Sequence, residues 1–509
     1  MRKPKNYKYN THKLMLLFLF LAALYFLPST SMPGALEEGL SAYERQEYTK
    51  AHKHWLPIAK EGNVDAQYNL GYMYAHENNT IKNYKHAIVW YKKAAGQGHL
   101  GAQVNLGIMY KNGTGVPKNL RQATKLFQQA AVQGDAYGQH NLGSSYHYGH
   151  GVSKNQFKAV KWYRKAAEQG LAKAQYNLAN AYSFGQGVAK NQSEAVKWYQ
   201  KAAEQGFTQA QNNLGVLYNK GLGVAKDLKQ AAKWYRKAAE QGLAEAQHSL
   251  ASMYYSGEGV SKDYKQALKL YLRAANQGRA DSQITLGLSY LRGNGITKSS
   301  VHGLKWLLQA ANQGSPEAQL TLGFMYIAGQ DVEKDFEKST KWFRKAAKQG
   351  SPEAQLFLGF AYEKGQGIVK DYKEAIKWFR KAAKQGDPEA QFKLGVWYDS
   401  KQGNAGLYNL AVVWYRKAAE QGHALAQFNL ANMYENGEGV SKDYDLAIKW
   451  YIKAAENGDA KAQYHLGKAY LSGNGVPKDH DQATKWLRKA SEQGIGTAKE
   501  KLEIIERVR

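Results

Sequence analysis

The feature that most constrains this 509-residue chain is an internal repeat of 36 residues, which occurs twelve times without insertion or deletion. Each copy carries a glutamine, then a leucine three residues later and a tyrosine seven residues later, and it closes on a glycine. A fixed period of this length predicts stacked repeats, in which each copy covers the apolar face of its neighbour. The length of the chain therefore does not indicate three or four separate domains. The twelve glutamines are Gln67, Gln103, Gln139, Gln175, Gln211, Gln247, Gln283, Gln319, Gln355, Gln391, Gln427 and Gln463.

The spacing within a copy predicts two helices. Ala66, Leu70 and Tyr74 recur at the helical period of 3.6 residues and define a first helix, helix A. Glycines such as Gly257 permit the tight reversal that ends it, and residues such as Asp263 can cap a second helix, helix B. The sequence therefore predicts an all-α protein, an α-solenoid of antiparallel helix pairs.

The repeat boundaries divide the chain into four segments. Residues 1–35 are predicted to be a signal peptide or signal anchor, and residues 36–62 a shorter lead-in helix pair. Residues 63–494 hold the twelve repeats, and residues 495–509 form a C-terminal capping helix. In that last segment Glu506 stands where the repeat has tyrosine, which is typical of a terminal cap.

The N-terminal segment has the pattern of an export signal. Five basic residues precede fourteen consecutive apolar residues, 14–27, and small residues and prolines follow. A membrane span needs about twenty residues, so cleavage is expected, with an uncleaved membrane anchor as the alternative. Either way the chain is predicted to be exported, to the periplasm or beyond the cell. The absence of cysteine suits an oxidising compartment and excludes thiol nucleophiles, disulfides and cysteine zinc sites.

The repeat consensus resembles a known family. Its parts are Ala-Gln-x-x-Leu-Gly-x-x-Tyr, Gly-x-Gly-Val-x-Lys-Asp and Ala-x-x-Trp-Tyr-x-Lys-Ala-Ala-x-Gln-Gly. These motifs are similar to those of the Sel1-like repeat family, a relative of the tetratricopeptide repeats, and the resemblance covers residues 36–509. It implies a right-handed superhelix whose concave surface is lined by helices A. It also implies a protein–protein scaffold or adaptor without enzymatic activity, metal or cofactor.

The resemblance further points to exported bacterial members, which are associated with envelope complexes and host interaction. One cysteine-rich branch of the family binds β-lactams, but this chain lacks the paired cysteines of that branch. An enzyme acting on peptidoglycan or β-lactams stays a weaker alternative, because the sequence offers no Ser-x-x-Lys and no zinc-protease motif. The expected partner is a protein, and nucleic acid is not expected.

An apolar cluster on helices A is the candidate partner site. The positions one, five and eight residues after the repeated glutamine are expected to face the concave groove, and in repeats seven to ten they turn apolar. A contiguous exposed patch would suit a partner peptide or helix, whereas burial by superhelical curvature is the alternative. The ten residues are Ile284, Leu288, Leu291, Leu320, Phe324, Ile327, Leu356, Phe360, Phe392 and Val396.

A basic stripe on helices B is the second candidate surface. The chain has 70 Lys+Arg against 42 Asp+Glu, a formal net charge of +28. Lysines at one position of helix B are expected on the convex side, either as a solvated face or as a contact for an anionic envelope polymer. They include Lys161, Lys197, Lys233, Lys341 and Lys377.

Two other patterns are interpreted as structural. His147 and His150 could chelate a metal only if the helix continues to residue 150, and surface histidines are the preferred interpretation. Tryptophans recur at one position of helix B, from Trp90 to Trp486. They could form a stacking platform, but their fixed place beside the next aromatic residue favours packing between repeats.

Overall fold

The computed structural model describes residues 33–76, 82–400 and 405–508, with the side chains of residues 34–76, 82–400 and 406–505. Every regular element within these ranges is an α-helix, as the sequence predicts. The N-terminal segment, five residues of the first repeat loop and four of the tenth lie outside them. No helix in the described part is long and apolar enough to cross a membrane.

The helices pack into two compact units, Met1–Trp234 and Tyr235–Arg509, and the boundary falls within one helix, α12 (Leu228–Glu240). The helices before it are α1 (Pro33–Glu44), α2 (Tyr48–Lys60), α3 (Val64–Ala75), α4 (Tyr84–Gly96), α5 (Leu100–Asn112), α6 (Leu120–Val132), α7 (Ala136–Tyr148), α8 (Gln156–Glu168), α9 (Ala172–Phe184), α10 (Gln192–Glu204) and α11 (Thr208–Lys220).

The second compact unit holds the remaining helices. They are α13 (Ala244–Ser256), α14 (Tyr264–Asn276), α15 (Ala280–Arg292), α16 (Ser300–Asn312), α17 (Pro316–Ala328), α18 (Phe336–Lys348), α19 (Pro352–Lys364), α20 (Tyr372–Lys384), α21 (Pro388–Asp399), α22 (Ala405–Glu420), α23 (Ala424–Asn436), α24 (Tyr444–Glu456), α25 (Ala460–Ser472), α26 (His480–Glu492) and α27 (Gly496–Val508). From α3 onward, odd-numbered helices are helices A and even-numbered helices are helices B.

The helix boundaries follow the local signals. The Ser315 hydroxyl accepts a hydrogen bond from the amide of Ala318 and precedes a proline in the first turn of α17. The Asp263 carboxylate accepts in the same way from Gln266 at the start of α14. Gly257 ends α13 with φ of 82°, a left-handed conformation that favours glycine. Helix α1 begins at Pro33, three residues before the predicted lead-in segment.

Consecutive helices of a repeat run antiparallel at short distance. Gly287, near the middle of α15, faces Leu307 of α16. One turn later on α15, Leu291 faces Gly303, which lies one turn earlier on α16. Small residues keep the two backbones close. A Cβ atom at Gly323 would lie 2.5 Å from the Phe343 ring, so an aromatic ring of helix B occupies the space over this glycine.

The repeated glutamine links successive helices. In the ninth repeat the buried Gln355 side chain donates through Nε2 to the Ala347 carbonyl at the end of α18, over 3.1 Å. Its Oε1 accepts from Nε2 of Gln385, at the end of α20, over 2.9 Å. The Gln385 amide also donates to the Gly350 carbonyl. One buried amide thus connects two successive helices B across helix A, and we call this arrangement the glutamine relay.

The relay recurs along both compact units with the same separations in sequence. In the first, Gln175 donates to the Ala167 carbonyl and accepts from Gln205. In the second, Asn457 replaces the second glutamine and donates to Gln427 over 3.0 Å. Buried amides are stable only when their polar atoms are paired, so the relay satisfies side chains that the close helix packing removes from water.

Replacing Gln355 by methionine tests the relay, because Gln355→Met retains the side-chain size but leaves the Ala347 carbonyl and the Gln385 amide without this partner. We expect a loss of about 1–3 kcal/mol in stability, seen as a lower thermal midpoint. Gln309→Met, at an exposed position of α16, is the matched control. Equal thermal midpoints for the two variants would contradict the structural importance of the relay.

Candidate functional site

The exposed face of helices A carries the predicted partner site. We define the helix A face as the positions one, two, five and eight residues after the repeated glutamine. Of the ten predicted residues, Ile284, Leu291 and Leu356 are only 4%, 8% and 8% exposed. They belong to the hydrophobic cores formed with helix B and the next helix A. The expectation that these three side chains face the groove is therefore wrong, because their long apolar chains fill the space between helices.

The other seven predicted residues lie at the surface of that core to different degrees. Phe324 and Val396 are the exposed ones, at 36% and 38%. The remaining five are partly buried between neighbouring helices. They are Leu288, Leu320, Ile327, Phe360 and Phe392. The predicted patch is therefore smaller than ten side chains, and whether it binds a partner stays a prediction.

In several repeats the side chain at one position of helix B matches the polarity of the helix A residues that contact it. Where that residue is tyrosine, its hydroxyl reaches polar groups on the helix A face. The Tyr415 hydroxyl donates to Asp399 over 3.1 Å, and the Tyr451 hydroxyl donates to Asn432 and Glu435. A tyrosine hydroxyl usually finds a partner when it is buried, and these polar residues supply one.

In repeats seven to nine the same position of helix B has no hydroxyl. It is Leu307, Phe343 and Phe379, and the side chains that cover it are apolar. Leu288 packs in the core of Leu307. The rings of Phe324 and Phe360 lie 5.3 and 5.4 Å from those of Phe343 and Phe379.

This correspondence explains the apolar character of repeats seven to nine, which the sequence pattern alone left open. Phe357 joins the rings into one cluster, 4.7 Å from Phe324 and 5.9 Å from Phe360 between ring centroids. The cluster is therefore held by packing within the second compact unit, and Phe324 is its most exposed member.

The coupling between Phe343 on helix B and Phe324 on helix A can be tested with a double-mutant cycle. Phe343→Tyr places a hydroxyl among the Phe324 and Phe357 rings, and we expect a loss of about 1–3 kcal/mol in stability. Adding Phe324→Asn should recover part of that loss, because an amide then meets the hydroxyl as in the eleventh repeat. Strictly additive effects of the two substitutions, measured by urea unfolding, would contradict the coupling.

Three acidic side chains of the helix A face in the second compact unit have partners within the protein. Nζ of Lys393 lies 3.2 Å from the Glu363 carboxylate. Nδ1 of His465 lies 3.3 Å from the Glu435 carboxylate. Hydrogen bonds from His465 and Tyr451 lower the pKa of Glu435 to about 2. Glu363 and Asp399, both eight residues after the repeated glutamine, therefore already have partners in the described structure.

The first compact unit contains a cleft on its helix A face. It has a volume of about 300 Å³ and lies between α7 and α9, with α8 as its floor and α11 at one end. Its walls combine aromatic rings with amide side chains, and none of the described residues lining it is Asp, Glu, Lys or Arg. The rings are those of His147, Tyr148, Tyr163, Tyr176 and Phe184.

A buried histidine orients one amide of this cleft. Burial, with nearby Lys173 and Lys111, lowers the pKa of His140 to about 3, so the imidazole is neutral at pH 7. Nδ2 of Asn177 donates to Nε2 of His140 over 3.0 Å. Asn177 lines the cleft, and its amide oxygen makes no hydrogen bond within the described structure. The repeat pattern drew attention to His147 and His150 instead, because a buried neutral histidine leaves no signal in a single sequence.

The burial of His140 predicts that the stability of the protein decreases as the pH falls. Its folded pKa lies below the ordinary value of about 6.5, so the unfolded chain binds the proton first as the pH falls. The protein should lose stability from about pH 6.5 towards pH 3, by at most about 1.4 kcal/mol per pH unit from this group.

The His140→Gln variant measures this contribution, because glutamine keeps the polarity without titrating. The thermal midpoint of the variant should fall less steeply than that of the wild-type protein between pH 6.5 and 4. His480→Gln, at an exposed site of α26, should follow the wild-type curve. Parallel curves for wild type and His140→Gln would show that His140 does not titrate as expected.

The predicted basic residues lie on helices B and are exposed. Lys197 and Lys377 pair with the acids three residues earlier, Glu194 and Glu374. The other three predicted lysines are also exposed: Lys161, Lys233 and Lys341. The surface that could bind an anionic polymer is thus present in each compact unit, and its binding stays a prediction.

The tryptophans of helix B pack between repeats, as their fixed position in the sequence favours. Trp342 and Trp378 are buried, and lysines three residues later cover their rings, with Nζ of Lys345 4.0 Å and Nζ of Lys381 3.8 Å from the ring centroids. Within the described ranges no group of three or more His, Asp or Glu side chains is placed to hold a metal ion.

Comparison with known proteins identifies the repeat. The family model described as Sel1 repeat matches twelve consecutive segments, and no curated protein matches the chain. The matched residues are 64–99, 101–135, 136–171, 172–207, 208–243, 244–278, 280–315, 316–351, 352–387, 388–423, 424–459 and 460–495.

Solved structures include similar chains from three bacteria. The Escherichia coli protein c5321, described as a protective antigen of uropathogenic strains with this repeat fold, is 37% identical, with 90% of each chain covered and a TM-score of 0.59. A Sel1 repeat protein of Oxalobacter formigenes is 35% identical over 48% of this chain and 96% of its own, with a TM-score of 0.43. Helicobacter pylori cysteine rich protein B is 29% identical over 25% of this chain and 92% of its own, with a TM-score of 0.21.

Proposed function

Because this chain belongs to the Sel1 repeat family, whose members generally mediate protein–protein interaction, we propose that it is an exported, non-enzymatic scaffold that binds a protein partner on its helix A face. The observation that carries the proposal is the aromatic cluster of repeats eight and nine, which leaves Phe324 exposed among four other phenylalanine rings. Exposed aromatic side chains on a rigid helical surface are typical anchors of a protein interface.

The partner should bring an apolar surface to this site. Phe324 lies on α17 and Val396 on α21, with the half-buried Phe360 on α19 between them in sequence. An amphipathic helix or an apolar peptide segment has the chemistry to cover such a face. Because Glu363 and Asp399 are already paired, the partner needs no basic flank.

Export is the second part of the proposal. It is supported by the basic and apolar pattern of the first 27 residues and by the lack of cysteine. The description of the Escherichia coli relative as a protective antigen also supports it, because an antigen that protects must meet the immune system of the host. The envelope of the bacterium or the surrounding medium is the compartment in which a partner should be sought.

A photo-crosslinking amino acid placed at position 324 tests both parts in living cells. We expect a discrete crosslinked protein in the envelope or secreted fraction, since the ring at this position is in contact with the partner. The same amino acid at position 301, exposed on helix B of the seventh repeat, is the matched control. Crosslinks of equal yield at both positions would contradict a site on the helix A face, and crosslinks confined to the cytoplasm would contradict export.

Binding of an anionic envelope polymer is the second candidate function. It is favoured by the net charge of +28 and by the exposure of the five lysines on helices B. Such binding weakens steeply with salt, because it depends on release of counterions. If purified full-length protein binds acidic polysaccharide at low salt and loses it on charge reversal at Lys161 and Lys341, this function is supported. Apolar binding at Phe324 would instead persist at high salt.

A further inference from the structure

We infer that the cleft between α7 and α9 binds a neutral oligosaccharide that contains an N-acetylated amino sugar, a function separate from the protein interaction proposed above. The inference rests on the shape of the cleft, its lack of charge and the fixed orientation of its amides. All of these features lie within the first compact unit.

The absence of charge in the cleft is informative in so basic a protein. The surrounding chain carries a large excess of lysine, yet the described residues lining the cleft include no Lys, Arg, Asp or Glu. An ionic ligand would gain nothing from these walls and would lose hydration. The cleft therefore suits a ligand that is polar but uncharged.

Two exposed rings flank the opening. Tyr148 and Phe184 end α7 and α9 at equivalent repeat positions, and they are 65% and 68% exposed. The Tyr148 ring is held by His147 and His150, whose centroids lie 4.6 and 5.4 Å away. A pyranose ring has a face of C–H groups that packs on an aromatic ring, so two such rings at the opening suit a sugar.

The amides inside the cleft are already oriented. Asn177 donates to His140, and Gln156 donates through Nε2 to the His147 carbonyl over 3.4 Å, so both present an oxygen to the cleft. Asn180 accepts from the Tyr199 hydroxyl through Oδ1 and so presents its amide N–H groups. Fixed acceptors and a fixed donor can pair with hydroxyl and acetamido groups without the entropy cost of ordering side chains.

The paired donor and acceptor of the cleft favour an acetamido group. This group carries both an N–H donor and a carbonyl acceptor, which match the acceptor Asn177 and the donor Asn180 on successive turns of α9. A sugar that carries only hydroxyl groups lacks this pair. The volume of about 300 Å³ leaves room for about two sugar rings, at the small end of ligand pockets in proteins. An extended peptide would instead need a row of partners that continues from repeat to repeat.

Titration of the purified full-length protein with N,N′,N″-triacetylchitotriose tests the inference, with cellotriose as the comparison sugar that lacks acetamido groups. We expect saturable binding of triacetylchitotriose that is insensitive to salt, and binding of cellotriose at least about tenfold weaker. Absence of triacetylchitotriose binding would overturn the inference, and equal binding of the two sugars would overturn the assignment of the acetamido group. Binding of a neutral alanine pentapeptide in place of either sugar would show that the cleft is a peptide site.

Substitution of the two exposed rings locates the binding. The double variant Tyr148→Ala/Phe184→Ala should weaken triacetylchitotriose binding by about tenfold or more, because both stacking surfaces are removed. Both rings are largely exposed, so the fold should be retained, as a thermal midpoint close to wild type would verify. Phe157→Ala, an exposed phenylalanine of α8 outside the cleft, should change affinity less than about twofold. Undiminished binding by the double variant would place the sugar elsewhere and overturn the inference.

Discussion

The rest of the structure depends on the buried amide of the repeated glutamine. Such a side chain has few ways to be satisfied once close helix packing excludes water, and in most repeats it bonds to a carbonyl 8 residues earlier and to an amide 30 residues later, as Gln355 does with Ala347 and Gln385. Gln103 is an exception, because it donates to the Ala95 carbonyl but its Oε1 has no partner within the described structure. These two separations together fix the length of a repeat around the glutamine. An insertion between the partners would leave a buried amide unpaired, which gives a physical reason why twelve copies keep 36 residues each.

A second constraint links the interior to the surface. The side chain at one position of helix B ends beneath the helix A face, and a tyrosine hydroxyl there finds a polar partner on that face. Tyr451 is covered by Asn432 and Glu435, whereas Phe343 is covered by Phe324 and Phe357. In these two repeats a residue of the core is thus matched to the chemistry of the outer face. This coupling allows a uniform scaffold to present different surfaces in different repeats, which is what a protein that binds several ligands requires.

The sequence predicts the fold to a large extent, because its signals are local and repeated. Capping residues such as Ser315, the glycine at 257 and the helical spacing of Leu70 specify each helix directly. The face assignment is less accurate, because the burial of Ile284 and Leu356 depends on the distance between neighbouring helices, which periodicity does not contain. The cleft is also absent from the sequence pattern. It arises from rings and amides on four helices, and the orientation of Asn177 depends on a histidine in the preceding repeat.

The helix A face and the lysine-bearing side of helices B differ in the force that would hold a ligand. Aromatic rings on the helix A face act by excluding water, whereas lysines on helices B act through long-range charge. Footprinting of the full-length protein with hydroxyl radicals, in cells and after purification, distinguishes the two most directly. We predict that Phe324 and Val396 are labelled less in cells than in the purified protein. Labelling of Val301 and Val369 should be the same in both. Unchanged labelling at Phe324 and Val396, with new protection confined to the lysine-bearing turns of helices B, would contradict a partner site on the helix A face.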